Sequence, residues 1–197
     1  MDWRSWRWVR RRHALVRGDR GVSAVEAAIV VPVFLLLVVG VVEFGLAFKD
    51  QLAVTSAVRA GARIASAEPR YANFAADAAS QVAREGGALN LSDVQQLWVY
   101  KADSSGHPIG AGGTFSSCTS SCDQFTWNAS TNAFVQTGGS WAATTQDACP
   151  GEEDSVGVYL KFNHVGVTQV FFNALGLTSY TVMRLEPIPS MQAGGCK

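Results

Sequence analysis

Residues 20–35, RGVSAVEAAIVVPVFL, set the first problem: an apolar run carries one carboxylate, Glu26, five positions beyond Gly21. Hydrocarbon disfavours a carboxylate, so either the run avoids a membrane or Glu26 has a task inside one. The flanks decide. From Ala27 to Val42 there is no charge, and Glu43 is the only one before Lys49. As a helix, the 22 residues Ala27 to Phe48 reach about 33 Å, enough for a hydrocarbon core of about 30 Å. A soluble core helix is seldom apolar on every face for that distance. The sequence therefore predicts a single transmembrane span over residues 27–48.

The net charge is zero, but it hides an asymmetry. Residues 1–21 hold seven arginines against Asp2 and Asp19, a balance of +5, while the remainder holds nine basic and fourteen acidic groups, a balance of −5. An arginine block directly before the span orients it by the positive-inside rule, with the N-terminus cytoplasmic and the C-terminus outside. Trp3, Trp6 and Trp8 stand beside those arginines and suit the headgroup region. Cys118, Cys122, Cys149 and Cys196 all follow the span, on the side where thiols oxidise. Two disulfides are expected, in any of three connectivities. A zinc site would want two close pairs, and Cys149 and Cys196 are 47 positions apart.

A removable secretory signal is the competing account. Its cleavage sites would be AGA at 60–62 or ASA at 65–67, more than ten residues beyond Phe48. A signal's apolar region is about 7 to 15 residues long and is followed closely by its cut, so the helix is expected to be retained. It also continues: residues 49–67, KDQLAVTSAVRAGARIASA, are mostly good helix formers, weakened only at Gly61 and without proline before Pro69. From Ser23 to Ala67 this gives 45 residues, or about 67 Å. Pro32 is tolerable in a membrane helix whose neighbours absorb the lost hydrogen bond.

After a break at 68–71, Asn73 is a candidate N-cap for a second helix, Phe74 to Glu85, closed by Gly86 and Gly87. Five alternating stretches then read as strands: 94–100, 124–128, 133–137, 155–162 and 180–186. Residues 167–175, VTQVFFNAL, read as a short helix, and 103–123 as a long surface loop pinned by covalent bonds. The expected fold class is α+β. A basic leader over 1–21, expected to be cleaved on the reading below, precedes a long helix over 22–67, which feeds an extracytoplasmic domain with an antiparallel sheet over 68–197.

The stretch RGVSAVEAAIVVPVFLLLVVGVVEFGLAF (20–48), followed by AVRAGARIA (57–65), resembles the N-terminal segment of TadE-like proteins, the pseudopilins or minor pilins of the tight-adherence (Tad/Flp) pilus system. VMRLEP (182–187) is a weaker echo, and residues 68–180 carry no motif of the family. The resemblance implies a pilin-like fold and a class III signal peptide. A prepilin peptidase would cut between Gly21 and Val22, leaving Glu26 fifth in the mature chain. It also implies partners among other pilin-like or Tad membrane components, with Glu26 neutralised by the α-amino group of a neighbouring subunit.

The residues themselves leave two accounts of Glu26 open. Glycine before the helix offers a protease an extended, accessible bond, and one turn into the helix a carboxylate meets the favourable end of the dipole. Equally, Ser23 to Glu26 spells a capping box in which Glu26 only satisfies backbone N–H groups. Glu43 lies about 25 Å further along the helix, within the TadE-like VVEFG. It is either a docking group for another subunit or a glutamate at the outer headgroup level.

Departures narrow the family reading. A main Flp pilin has Glu-Tyr at the signal and a short mature chain, whereas Ala27 follows Glu26 here and about 150 residues lie beyond the span that ends at Phe48. A TadG-like protein carries D-x-S-x-S, which DSSGH at 103–107 does not match. For catalysis the sequence offers only isolated histidines, His13, His107 and His164, read as solvated, and no zincin, P-loop, nucleophile-elbow or dinucleotide pattern. Glu152, Glu153 and Asp154 lack the spaced oxygens of a calcium loop and read as a solvated turn. No enzyme, cofactor, metal or nucleic-acid partner is expected. Two functions remain: a processed assembly component of a pilus in the cytoplasmic (inner) membrane, or an unprocessed membrane-anchored extracytoplasmic binding or adhesion domain unrelated to a fibre.

Overall fold

The computed structural model describes residues 20–189 and 195–197, so nearly all of the leader, with Trp3, Trp6, Trp8 and His13, lies outside the described residues. Helix α1 spans Arg20–Ala67 and continues through Pro32. Helix α2 spans Phe74–Glu85. Five strands follow: β1 Val94–Ala102, β2 Cys122–Asn128, β3 Ala133–Ser140, β4 Ser155–Val165 and β5 Ala174–Arg184. They form one antiparallel sheet in the order β3-β2-β1-β4-β5. The fold is α+β, a long apolar N-terminal helix followed by a small five-stranded domain.

The chain divides into two units after Gly40. In the first, the apolar side chains from Val22 to Val38 are exposed. Among the described residues α1 is the one helix long and apolar enough to cross a membrane, and none of its most apolar stretch is buried in the protein. That stretch adds nothing to a buried core, and its exposed apolar surface is suited to a nonaqueous surrounding.

In the second unit the C-terminal part of α1 belongs to the core of the domain. Val54, Ala57, Val58, Ala62 and Ala65 pack with Phe74, Ala78, Ala79 and Val82 of α2. These helices cover one face of the sheet, on which Leu97 and Val99 of β1 stand opposite Leu160 and Val158 of β4. Strand alternation sends Trp98, Tyr100 and Tyr159 to the other face, against Cys118, Cys122 and Phe115. There Phe115 stacks on Tyr159 at 4.1 Å, and the Tyr100 hydroxyl donates to the Gly106 carbonyl at 2.8 Å. The loop expected at 103–123 is thus the second cover of the sheet, and its last two residues belong to β2.

Gly61, read from the sequence as a weakness, lies where α1 closely approaches α2. A Cβ there would lie 2.5 Å from Val82 Cγ2 and 3.2 Å from the Ala78 carbonyl oxygen. Gly61→Val is expected to destabilise the domain by about 1–3 kcal/mol, because backbone and packed side chains must separate to admit it. Urea unfolding of the detergent-solubilised chain, followed by tryptophan fluorescence, checks this; an unchanged midpoint would count against the close crossing.

Two local expectations need correction. Asn73 does not cap α2 with its side chain: at φ −100°, ψ 6° it lacks the extended conformation from which a cap reaches forward. Residues 167–175 are not a helix: 167–173 belong to the connection between β4 and β5, and 174–175 begin β5, which starts six residues before the expected 180. The N–H groups of Val167, Thr168 and Gln169 go to a side chain outside the segment, as described next.

Candidate functional site

Gly21 and Val22 lie inside α1, not in extended chain before it, which corrects the expected start of the helix by two residues. Ser23 is consequently helical and cannot be the N-cap residue of a capping box, since a cap stands outside the turn it closes. A Cβ at Gly21 would meet nothing within 4 Å, so packing does not demand glycine there. Glu26 is exposed, and among the described residues it has neither hydrogen-bond nor ion-pair partner.

Glu43 is in a different situation. It is fully buried, and its carboxylate is received by the turn that follows β4. Oε2 accepts the Val167 N–H at 3.2 Å; Oε1 accepts the Thr168 N–H, the Thr168 hydroxyl at 2.6 Å and the Gln169 N–H at 3.2 Å. Gln169 takes φ 56°, the left-handed region that turns successive N–H groups toward one side and makes an anion-binding concavity. Gly166 is needed for the approach: a Cβ there would collide with the Phe172 carbonyl oxygen and lie 3.1 Å from Glu43 Oε2. Glu43 thus docks a segment of its own chain. The sequence hinted at this only through the polar Thr168 and Gln169 beside Gly166 in an otherwise apolar stretch.

The histidines correct the sequence reading too. His164 is buried, and its Nδ1 lies 2.7 Å from Asp50 Oδ2, tying β4 to α1 one helical segment beyond Glu43. Asp50 was not singled out from the sequence. His107 is half-buried against Phe115 and Tyr180, with Nδ1 3.2 Å from the Ser105 hydroxyl. That hydroxyl donates to Asp103 at 2.7 Å. The Ser105 hydroxyl, then the His107 and Ser105 N–H groups, hold the Asp103 carboxyl below the usual carboxylate range. The aspartate organises a tight turn here instead of orienting the imidazole as a nucleophile's base would require.

The cysteines pair as Cys118–Cys122 and Cys149–Cys196. The acidic trio is not merely solvated, since each carboxylate meets a cation: Glu152 with Lys197 at 2.6 Å, Glu153 with Arg184 at 2.8 Å and Asp154 with Lys101 at 2.7 Å. Among the described residues no group of His, Cys, Asp and Glu is arranged to hold a metal ion. The VMRLEP echo closes the second unit: Leu185 is buried and the Glu186 N–H donates to the Ser66 carbonyl at the end of α1, at 2.8 Å.

Residues 21–63 match the family model described as TadE-like protein. The match begins at Gly21 and takes in Glu26, Glu43 and Gly61. No curated protein and no solved structure matches the chain.

Proposed function

We propose that this chain, TadE-like over residues 21–63, is a pseudopilin or minor pilin that takes part in assembling a Tad/Flp-type adhesive pilus. A TadE-like segment and a single apolar N-terminal helix fit a Tad pilus-associated membrane protein. On this reading the protein is single-pass in the cytoplasmic membrane, with the arginine leader cytoplasmic and the sheet domain extracytoplasmic. It catalyses nothing itself and binds no nucleic acid or cofactor. Its partners are a prepilin peptidase and other pilin-like or Tad membrane components.

The supporting observation is the family match that begins at Gly21, with Glu26, exposed and without a partner among the described residues, at the fifth position beyond the proposed cut. A glycine that packing does not require is consistent with selection by a protease. The bond is helical, but a first turn has few intrahelical bonds to lose and opens at little cost. Cleavage frees an α-amino group at Val22, and an apolar environment makes a carboxylate such as Glu26 a strong attractor for that group on a neighbouring subunit.

The test is the N-terminus and intact mass of protein recovered from native membranes with an active prepilin peptidase. A chain starting at Val22 is expected, and Gly21→Arg is expected to retain the leader. Recovery with Met1 still attached would sink the assembly reading in favour of an unprocessed membrane-anchored binding domain.

A further inference from the structure

Residues 165–179, VGVTQVFFNALGLTS, contain no charged side chain. Within them Val167, Val170 and Phe171 are 69 %, 57 % and 46 % exposed, an apolar tip that the chain does not cover. The tip is not placed at random on the domain. The Glu43 carboxylate holds its turn against α1, and Phe44 contacts Phe171 and Phe172 at centroid distances of 6.1 and 5.7 Å. Phe48, 69 % exposed, lines with Phe44 and Leu175 an apolar groove on the same side. These helix residues are the last of the uncharged run that ends at Lys49.

Polarity is sorted along this part of the unit. Glu43, the one carboxylate at the level of the tip, has its oxygens occupied by protein donors and is removed from any surrounding medium. The two ends of the turn are joined by the Gly166 N–H, which donates to the Asn173 carbonyl at 3.1 Å. Exposed charge resumes only at Lys49 on α1 and Lys161 on β4. A segment entering lipid must meet these same conditions: apolar side chains outward, charged groups shielded and backbone groups bonded, with cations at the boundary.

We propose that the β4–β5 connection is a second membrane contact, with Val167, Val170 and Phe171 seated in the lipid interface of the bilayer that α1 crosses. This rests on the spanning reading of α1. The helix and the tip together give the domain two attachments, which fixes its rotation about α1 as a single anchor does not. Interfacial segments of this kind bury their apolar side to a depth of roughly 5–10 Å.

The full chain is reconstituted in vesicles of phosphatidylethanolamine and phosphatidylglycerol, with one nitroxide label at Val170→Cys, at Leu37→Cys in the apolar run, or at Val135→Cys on β3. All four native cysteines are paired, so the introduced thiol alone reacts. Collision rates with oxygen, which enters lipid, and with a nickel chelate, which stays in water, report depth. The oxygen-to-nickel ratio at 170 is expected to exceed that at 135 severalfold and to approach that at 37. If 170 matches 135 while 37 reads lipid, the anchor stands and the second contact is overturned. Exclusion of both reagents at 170 would mean that protein, such as a second copy, covers the tip, and would also overturn it. A water-like ratio at 37 would remove the spanning reading and this inference together.

Discussion

Glu43→Ala will release the turn at 166–169 while leaving the sheet folded. In the detergent-solubilised monomeric chain, the amides of Val167, Thr168 and Gln169 are expected to exchange with deuterium at least roughly tenfold faster, the equivalent of about one net hydrogen bond each. The reason is asymmetry: removing the acceptor leaves three N–H groups and a hydroxyl aimed at an empty position. Glu43→Gln should fall between, because its amide retains one oxygen and presents donors to donors at the other site. Amides of the β1–β4 ladder should change little, since its pairs do not involve the turn. Unaltered exchange at 167–169 would instead mean that Glu43 works between subunits, where a monomer has nothing to lose. The result also bears on assembly. Two glutamates fall inside the TadE-like match, and only Glu26 is left exposed for a neighbour.

The turn shows where sequence reading stops. Val167, Val170, Phe171 and Leu175 stand at i, i+3, i+4 and i+8, the spacing of an amphipathic helix. What replaces the helix is a turn with Gln169 in the left-handed region, whose N–H groups at 167–169 go to a carboxylate at a separation of 124 to 126 positions, and no local pattern reports that. His164 presents the same difficulty, since its partner Asp50 is 114 positions away. By contrast, α2, four strands and the C-terminal half of β5 were legible, because alternation is local and the two faces of the sheet are each covered by one set of side chains. Gly61 could be seen to weaken a helix, but its use as a crossing point needs Val82 in place. The long apolar N-terminal helix was readable for the opposite reason: an uncharged run behind seven arginines depends on no partner at all.

The two disulfides should contribute unequally. Pairing was open in the sequence; Cys149–Cys196 closes a separation of 47 residues and Cys118–Cys122 one of four. On the loop-entropy account, the longer closure removes about 4 kcal/mol of unfolded-state freedom and the shorter about 2. Against a domain stability of roughly 5–15 kcal/mol the first is a large share. Replacing Cys149 and Cys196 together by alanine should therefore lower the urea midpoint about twice as far as replacing Cys118 and Cys122. What else holds Cys196 is modest: its carbonyl accepts the Ala148 N–H at 2.8 Å, and Lys197 pairs with Asp147 at 2.9 Å and with Glu152 at its rim, both bonds of an exposed lysine. The tail should thus detach once the bond is gone. The opposite order of losses would place the main constraint in the 103–121 loop over Tyr100 and Tyr159. Reductant added to the unaltered chain should reproduce the double loss, which ties full stability of the domain to an oxidising compartment.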